Sequence, residues 1–429
     1  MNTQGRVGRR TAAMLFLAPA LVLLAVLVVW PTIQTFWLSF RDANNQRWVG
    51  FQNYETMFTN ADTRKAITNN LIWVAVAPAL VTAVGLVFAV LTERIKLATA
   101  LKTVLFVPMA ISFLAAGVTW RLVYDNSPER GVLNAAAVSV HDTFMPPSPY
   151  AGARVRDDAG LTAVSGGGYQ TQNPVATSDQ VLVPLVGVPP AGVPKDAAPA
   201  APATGGGPHG VVWLDFTQGG GGKTGVIDPK EKGLPGVTVE AVRDAEVAAT
   251  TKTSANGAFS FPKLTSGEYA VRLPESNFAA PYGGIDWLGP SLVTPSIIIA
   301  YLWVWAGFAT VLIAAGLAAL PRDTLEAARI DGASEWQVFR RITVPLLRPV
   351  LVVVLVTLII NVLKIFDLIF VISPSDALPN STVLAVQMYQ VAFGGTQDTG
   401  LGSALGVLLL ILVIPAMIFN IRRLRREST

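Results

Sequence analysis

"EAARIDGASEWQVFRRITVPLL", Glu326–Leu347, is charged and amphipathic, yet it lies between two oily runs. Before it stands "PSIIIAYLWVWAGFATVLIAAGLAAL", Pro295–Leu320, and after it "RPVLVVVLVTLIINVLKIFDLIFVI", Arg348–Ile372. About 20 apolar residues suffice for a helix to cross a bilayer. Two such runs joined by a polar segment read as a membrane hairpin that presents the segment on one side. Within it, Glu326 to Ile330 is a good helix former and Gly332 supplies a bend. Trp336, Phe339 and Ile342 recur at three-residue spacing and give the second half an apolar face. Pro345 opens the next span, where its missing N–H costs little.

The whole chain reads the same way. Of its 429 residues, 52% are hydrophobic and 14% charged, with a mean hydropathy of +0.48. Soluble domains carry about 25% charge. Six runs are long enough to span: Thr11–Leu38, Leu71–Leu91, Val104–Val123, Ser291–Leu320, Val350–Ile372 and Leu401–Asn420. The first imitates a signal peptide, but it is too long and ends in Trp30-Pro31, so it reads as an uncleaved span. The expected fold class is an all-α polytopic membrane protein of six transmembrane helices, with one inserted β domain. The chain has no cysteine and only two histidines, His141 and His209. Thiolate chemistry, disulfides and multi-histidine metal sites are therefore not expected.

The net charge of +4 is not a nucleic-acid signal, because the basic residues cluster beside the apolar runs. Arg6, Arg9 and Arg10 precede the first run, and Arg94, Lys96 and Lys102 lie between the second and third. Arg322, Arg329, Arg340, Arg341 and Arg348 lie between the fourth and fifth, and Arg422, Arg423, Arg425 and Arg426 close the chain. Placing all of these in the cytoplasm fits every alternate loop. Both termini are then cytoplasmic, residues 125–290 lie outside, and Trp30, Trp37, Trp73, Trp120 and Trp287 are expected near the outer interface.

The outer segment between the third and fourth spans is an insertion. Residues 138–208 are expected to be an irregular linker, with "PPAGVPKDAAPAAPATGGGP" (Pro189–Pro208) unable to form a core. In residues 209–276, "GVVWLDF", "GVTVEAV", "GAFSFPKL" and "GEYAVRLP" alternate apolar and polar residues between glycine turns, which predicts a β-sandwich. "TQGGGGKTG" has Thr217 where a phosphate loop needs glycine, and no helical pattern follows, so no ATPase site is expected in this chain. The sandwich segment resembles the B-type modules of bacterial surface adhesins and the regulatory β-domains of carboxypeptidases. Such modules often bind calcium through clustered aspartates. Here only Asp215 and Asp228 flank the glycine-rich loop, and no metal is expected.

Glu326-Ala327-Ala328 is followed by Gly332, Ile342 and Pro345. This spacing resembles the cytoplasmic EAA loop of ABC-importer permeases, softened only by Val344 where leucine is usual. "LFVPMAISFLAAGVTWRLVYD", "GVLNA", "DWLGP" and "KIFDLIFVIS" look like the maltose-type carbohydrate permease subunits. The departures are the insertion and "SPSDALPNST", which replaces a glycine-rich turn after the fifth span. The resemblance implies a bacterial inner-membrane permease subunit of a carbohydrate importer. Its partners would be the lipid bilayer, a second permease, an ATPase dimer carrying ATP and magnesium, and an extracytoplasmic solute-binding protein; the chain itself would hold no cofactor. The coupling loop would be residues 321–348, with Glu326, Ala327, Ala328, Asp331, Gly332, Ile342 and Pro345 at its centre. The domain division is then 1–137 for spans one to three, 138–208 for the linker, 209–276 for the β module and 277–429 for the remaining spans.

Within the fifth span, Asn361, Lys364 and Asp367 recur every three residues and fall on one helix face. Polar groups at membrane depth usually line a path or pair with each other. Both readings stand: a solute path, or a structural Lys364–Asp367 pair. Gln387 and Tyr389 are further candidates for the path. Two alternatives to a carbohydrate permease also stand. One changes the solute to a glycerophosphodiester, a polyamine or phosphate. The other is a membrane-anchored surface or sensor protein that uses the β module.

Overall fold

A computed structural model describes residues 16–93, 95, 97–165, 167–189, 192–204, 207–264, 267–395 and 397–427. Arg6, Arg9, Arg10, Arg94 and Lys96 lie outside the described residues, as do the side chains of Arg422, Arg423, Arg425 and Arg426. The chain forms two compact units, Met1–Asn134 with Ile285–Thr429, and Ala135–Gly284.

The first unit is helical. Its elements in chain order are α1 (Phe16–Leu38), α2 (Gln52–Thr59), α3 (Ala61–Glu93), α4 (Ala98–Ala110) and α5 (Phe113–Val123). Helix α6 (Val132–Phe144) leads into the second unit. Then follow α7 (Val293–Ala318), α8 (Arg322–Ile330), α9 (Glu335–Leu363), α10 (Asp367–Ile372), α11 (Leu378–Ser381), α12 (Leu384–Phe393) and α13 (Thr399–Glu427). Among the described residues, four helices (α1, α3, α7 and α9) are long and apolar enough to cross a membrane, or five if the bent pair α4–α5 is one span. Helix α13 covers the sixth run read from the sequence.

Helix α7 is the centre of this unit. It is apolar all round, and Ile297, Ala300, Tyr301, Val304, Ala309 and Ile313 are fully buried, as expected of a helix enclosed by others. Small residues set the close approaches. A side-chain carbon on Gly85 of α3 would stand 2.5 Å from the Ala309 Cβ of α7, and one on Gly316 of α7 would stand 2.8 Å from Val350 of α9. Such contacts replace the hydrophobic drive that lipid cannot supply. Helix α1 is the opposite case, with none of its apolar window buried.

Three expectations are corrected. The run Val104–Val123 is not one straight helix, because α4 and α5 meet at 100°. Pro108 removes a ladder donor near the end of α4, and Ser112, extended at φ −62° and ψ 146°, caps α5 by accepting from the Ala115 N–H at 3.2 Å. The run Val350–Ile372 stops at Leu363 and restarts at Asp367. Lys364 then stands at a helix C-terminus and Asp367 at a helix N-terminus, each the sign that the local dipole favours. Trp73 does not face lipid or water: it is fully buried against Tyr301, and Trp120 and Trp287 are half-buried around Tyr124, leaving Trp30 and Trp37 exposed.

Asn134 holds the membrane unit closed where the insertion leaves and returns. Its fully buried amide donates to the carbonyls of Asp125 and Asn126, both at 3.2 Å, and of Ile285 at 3.0 Å. Its oxygen accepts from the Ile285 N–H at 2.8 Å and the Trp287 indole at 3.2 Å.

The second unit contains two sheets that share one core. Ten strands run in chain order: β1 (Arg154–Val155), β2 (Leu161–Ala163), β3 (Gly168–Thr171), β4 (Val175–Ala176), β5 (Gln180–Val186), β6 (His209–Leu214), β7 (Thr238–Arg243), β8 (Glu246–Lys252), β9 (Ala258–Ser260) and β10 (Glu268–Pro274). One sheet is ordered β1-β5-β6-β9, the other β2-β3-β10-β7-β8 with β4 on β10. The irregular linker expected over 138–208 is therefore largely structured. Strand β5 is interior and pairs in parallel with β6, with Val183 and Leu185 fully buried. Pro184 obscured it, since proline inside a run argues against a central strand. The glycine-rich loop that mimics a phosphate site is already occupied by carboxylates: Asp228 accepts from the Lys223 N–H at 2.8 Å, and Asp215 from the Gly225 N–H at 2.9 Å.

Candidate functional site

The polar loop is the short helix α8 joined by a left-handed bend to the first turns of α9. Helix α8 ends in a Schellman arrangement. The Ala333 N–H donates to the Ala328 carbonyl at 3.0 Å and the Gly332 N–H to the Arg329 carbonyl at 3.1 Å, with Gly332 at φ +84°. The next turn starts with a capping box that the sequence reading passed over, although "SEWQ" carries its signature. The Ser334 hydroxyl accepts from the Gln337 N–H at 3.3 Å, and the Gln337 side chain accepts from the Ser334 N–H at 2.8 Å. Across the bend, Arg329 donates to both oxygens of Glu335, at 2.8 and 3.4 Å. That contact holds the Arg329 guanidinium above its usual range.

The sequence-derived residues divide between two faces. Glu326 lines a cavity of about 650 Å³ behind the loop, together with Leu91, Leu317, Leu325 and Phe339. Asp331 and Gly332 are exposed, and no atom lies within 4 Å of where a Gly332 side chain would start. Ile330 and Trp336 are 86% and 66% exposed. Ala327 is exposed and Ala328 half-buried. Ile342 lies in a π turn, Phe339–Thr343, just before Pro345. Such turns are frequent at functional sites.

The second cluster forms at the break between α9 and α10. Asn361, Lys364 and Asp367 do not share one helix face; the break brings them together around a cavity of about 270 Å³. Phe113, Tyr301 and Trp305 complete the polar and aromatic wall. The Asn361 amide donates back to the Thr357 carbonyl at 2.9 Å. Lys364 and Asp367 are exposed, and among the described residues no ion pair joins them. Tyr301 and Trp305, 1% and 7% exposed, have a hydroxyl and an indole N–H without a hydrogen-bond partner. The sequence reading missed both, because they stand in an unbroken apolar run. Tyr389 packs its ring against Phe366, another lining residue, at 5.3 Å, whereas Gln387 is buried.

The family described as "Binding-protein-dependent transport system inner membrane component" matches residues 256–425, which include the loop and, apart from Phe113, the lining of the cavity at the helix break. Over that span, about two fifths of its length, the chain resembles a transport permease of this family. The permease also matches the SdrD B-like domain over residues 210–283. The two matches overlap at 256–283, and the structure assigns that overlap to the β unit, where it holds β9 and β10. Along 99% of its length, the permease is 29% identical to 85% of the alpha-glucoside transport system permease protein of Rhizobium meliloti. Along 96% it is 27% identical to 99% of the osmoprotective compounds uptake permease protein of Synechocystis. Over 33% of its length it is 40% identical to 49% of the trehalose/maltose transport system permease protein of Thermococcus litoralis. Its fold is shared with a crystal structure of a bacterial ABC transporter involved in alginate import, at a TM-score of 0.56 and 16% identity, covering 97% of this chain and 98% of that one. The permease is thus a multi-pass inner-membrane protein with an inserted β-rich region.

Proposed function

We propose that the chain is the permease subunit of an ATP-driven carbohydrate importer, taking an oligosaccharide or glycoside. Six helices cross the membrane, with both termini and the α8–α9 loop in the cytoplasm and the β unit outside. A second permease, an ATPase dimer and an extracytoplasmic solute-binding protein complete the importer. A solved alginate transporter in complex with a pentasaccharide-bound periplasmic protein supports the last of these partners. The observation that carries the reading is the open left-handed bend at Gly332, presented between two locally capped helices in a chain that resembles a transport family. There a cytoplasmic ATPase can grip Glu326–Pro345 and convert its own closure into gating. The cavity at Asn361, Lys364 and Asp367 is the solute path, because hydroxyl-rich solutes need polar partners on leaving water. Three of the relatives' names support a saccharide or glycoside as the class of solute.

The test is solute-stimulated ATP hydrolysis by the reconstituted complex. Stimulation is expected with binding protein loaded with an alpha-glucoside or another oligosaccharide. Stimulation only by a glycerophosphodiester, a polyamine or phosphate would reassign the solute. For topology, the absence of native cysteine makes single cysteines clean probes. Exposed Ser254→Cys should react with an impermeant maleimide in intact cells, and exposed Thr324→Cys only after lysis. The reverse pattern would invert the orientation.

A further inference from the structure

Among the described residues, five buried side-chain polar atoms have no hydrogen-bond partner: Thr63 Oγ1, Asn70 Nδ2, Trp73 Nε1, Tyr301 OH and Trp305 Nε1. Trp73 meets Tyr301 where α3 packs on α7, with Trp305 beside Tyr301, whereas the Asn70 oxygen accepts from the Leu384 N–H at 3.1 Å at the start of α12. Thr63, Asn70 and Trp73 are spaced by seven and three residues, which places them on one face of α3. Tyr301 and Trp305 are one turn apart on α7. The rings connect the two sets: Trp73 meets Tyr301 edge-on at 5.7 Å, and Tyr301 meets Trp305 at 6.0 Å. Tyr301 and Trp305 then open onto the cavity at Asn361.

The pattern is specific to this seam. Other buried polar groups are matched: Asn69 donates to the Asn380 and Thr382 carbonyls at 3.0 and 2.9 Å, and Trp213 of the β unit donates to Glu231 at 3.0 Å. The seam also changes character along its length. Beyond Trp73 the buried face of α3 continues as Ala77, Val81, Gly85 and Ala89, closing tightly on Ala309. A run of buried, unbonded polar atoms is costly, and internal water is what normally satisfies such groups. The solute cannot do so along the whole seam, because Thr63, Asn70 and Trp73 do not line the cavity.

We propose that these five atoms bind a string of internal waters, running from Thr63 in the first turn of α3 to the cavity at Asn361. The string ends there because the rest of the seam is small, apolar and closed. Its role would be to supply and remove water as a hydroxyl-rich solute exchanges bonds in the cavity. That role rests on the solute reading above; the water sites themselves do not.

The experiment is hydroxyl-radical labelling generated in place by X-ray pulses on the full chain in the assembled importer, in nanodiscs without solute. Radicals made from bound water modify the side chains beside it. Trp73 and Trp213 are both 0% exposed, but only Trp213 has its N–H bonded within the protein, which makes it the dry control. Trp73 and Tyr301 should be modified several-fold faster than Trp213. Protection of both to the level of Trp213 would overturn the string. Modification of Tyr301 alone would overturn it too, since only the cavity would then be wet. Thr63→Val gives an independent sign at the far end: with water bound, losing the hydroxyl should lower Tm. A rise in Tm would show dry surroundings there and overturn the proposal. None of these readouts depends on which solute is carried.

Discussion

Gly332 separates a demand of the fold from a demand of a partner. At φ +84° a residue with a side chain other than Asn or Asp is strained, by about 1–2 kcal/mol, yet nothing in the chain would touch that side chain. Gly332→Asn and Gly332→Asp should therefore both reach the membrane in normal amounts and lose solute-stimulated ATP hydrolysis. Wild-type stimulation in both would remove this bend from the coupling joint. In the cavity at the helix break, Tyr301→Phe and Asn361→Ala should reduce uptake while leaving basal ATP hydrolysis unchanged. Because no ion pair joins Lys364 to Asp367, neutralising either should not lower membrane abundance as breaking a buried pair would, at about 3–5 kcal/mol. A marked fall in abundance in either single variant, restored in the double variant, would bring the structural pair back. Glu326, Gly332 and Asn361 were legible as a motif or as polar residues in an apolar run. Tyr301 and Trp305 were not, because an aromatic residue in such a run looks the same whether it faces lipid, core or cavity.

The polar loop is an element built almost entirely from near-neighbour bonds. Its Schellman end, its capping box and the Arg329–Glu335 bridge each join residues at most six apart. The bridge is largely exposed, so solvent screens it and it adds little to stability. The cap matters more: Ser334→Ala should cost about 1 kcal/mol, which speeds amide exchange at Gln337 roughly fivefold. Unchanged exchange would mean that the turn is held from elsewhere. The broken helices behave differently. Pro108 and Ser112 mark the α4–α5 corner in the sequence, but proline alone bends a membrane helix only where neighbours take up the freed groups. Pro78 lies inside α3, which stays a single element from Ala61 to Glu93.

For the whole molecule, the question is whether the insertion supports the membrane unit. The bonds that close the stem belong to Asn134, Asp125, Asn126, Ile285 and Trp287, all within that unit. Joining Ala137 to Ile285 through a short linker should therefore leave a stable membrane protein with normal abundance. Asn134→Ala in the full chain should cost about 1–3 kcal/mol, since it leaves buried backbone groups unpaired. Loss of the shortened protein, with little effect of Asn134→Ala, would place the stabilising contacts in the β unit instead. If transport by the shortened protein is also undiminished, the β unit has no part in solute capture.

The long apolar helices and the bend of the polar loop could be read directly, because their causes are local. Apolar length sets what can cross a bilayer, and bonds between residues three to six apart set the bend and its caps. The rest depended on residues far apart in the chain. Strand β5 is interior only because β6, beyond the proline-rich stretch, pairs with it in parallel. Trp73 is buried only because α7, more than two hundred residues later, packs on its face of α3. Lys364 and Asp367 look like a pair on one helix face, but the break between α9 and α10 places both on the wall of a cavity that Tyr301 and Trp305 complete. A helix face is a local regularity, whereas a cavity forms where separate elements fail to fill space together, and no window of sequence contains both of its walls.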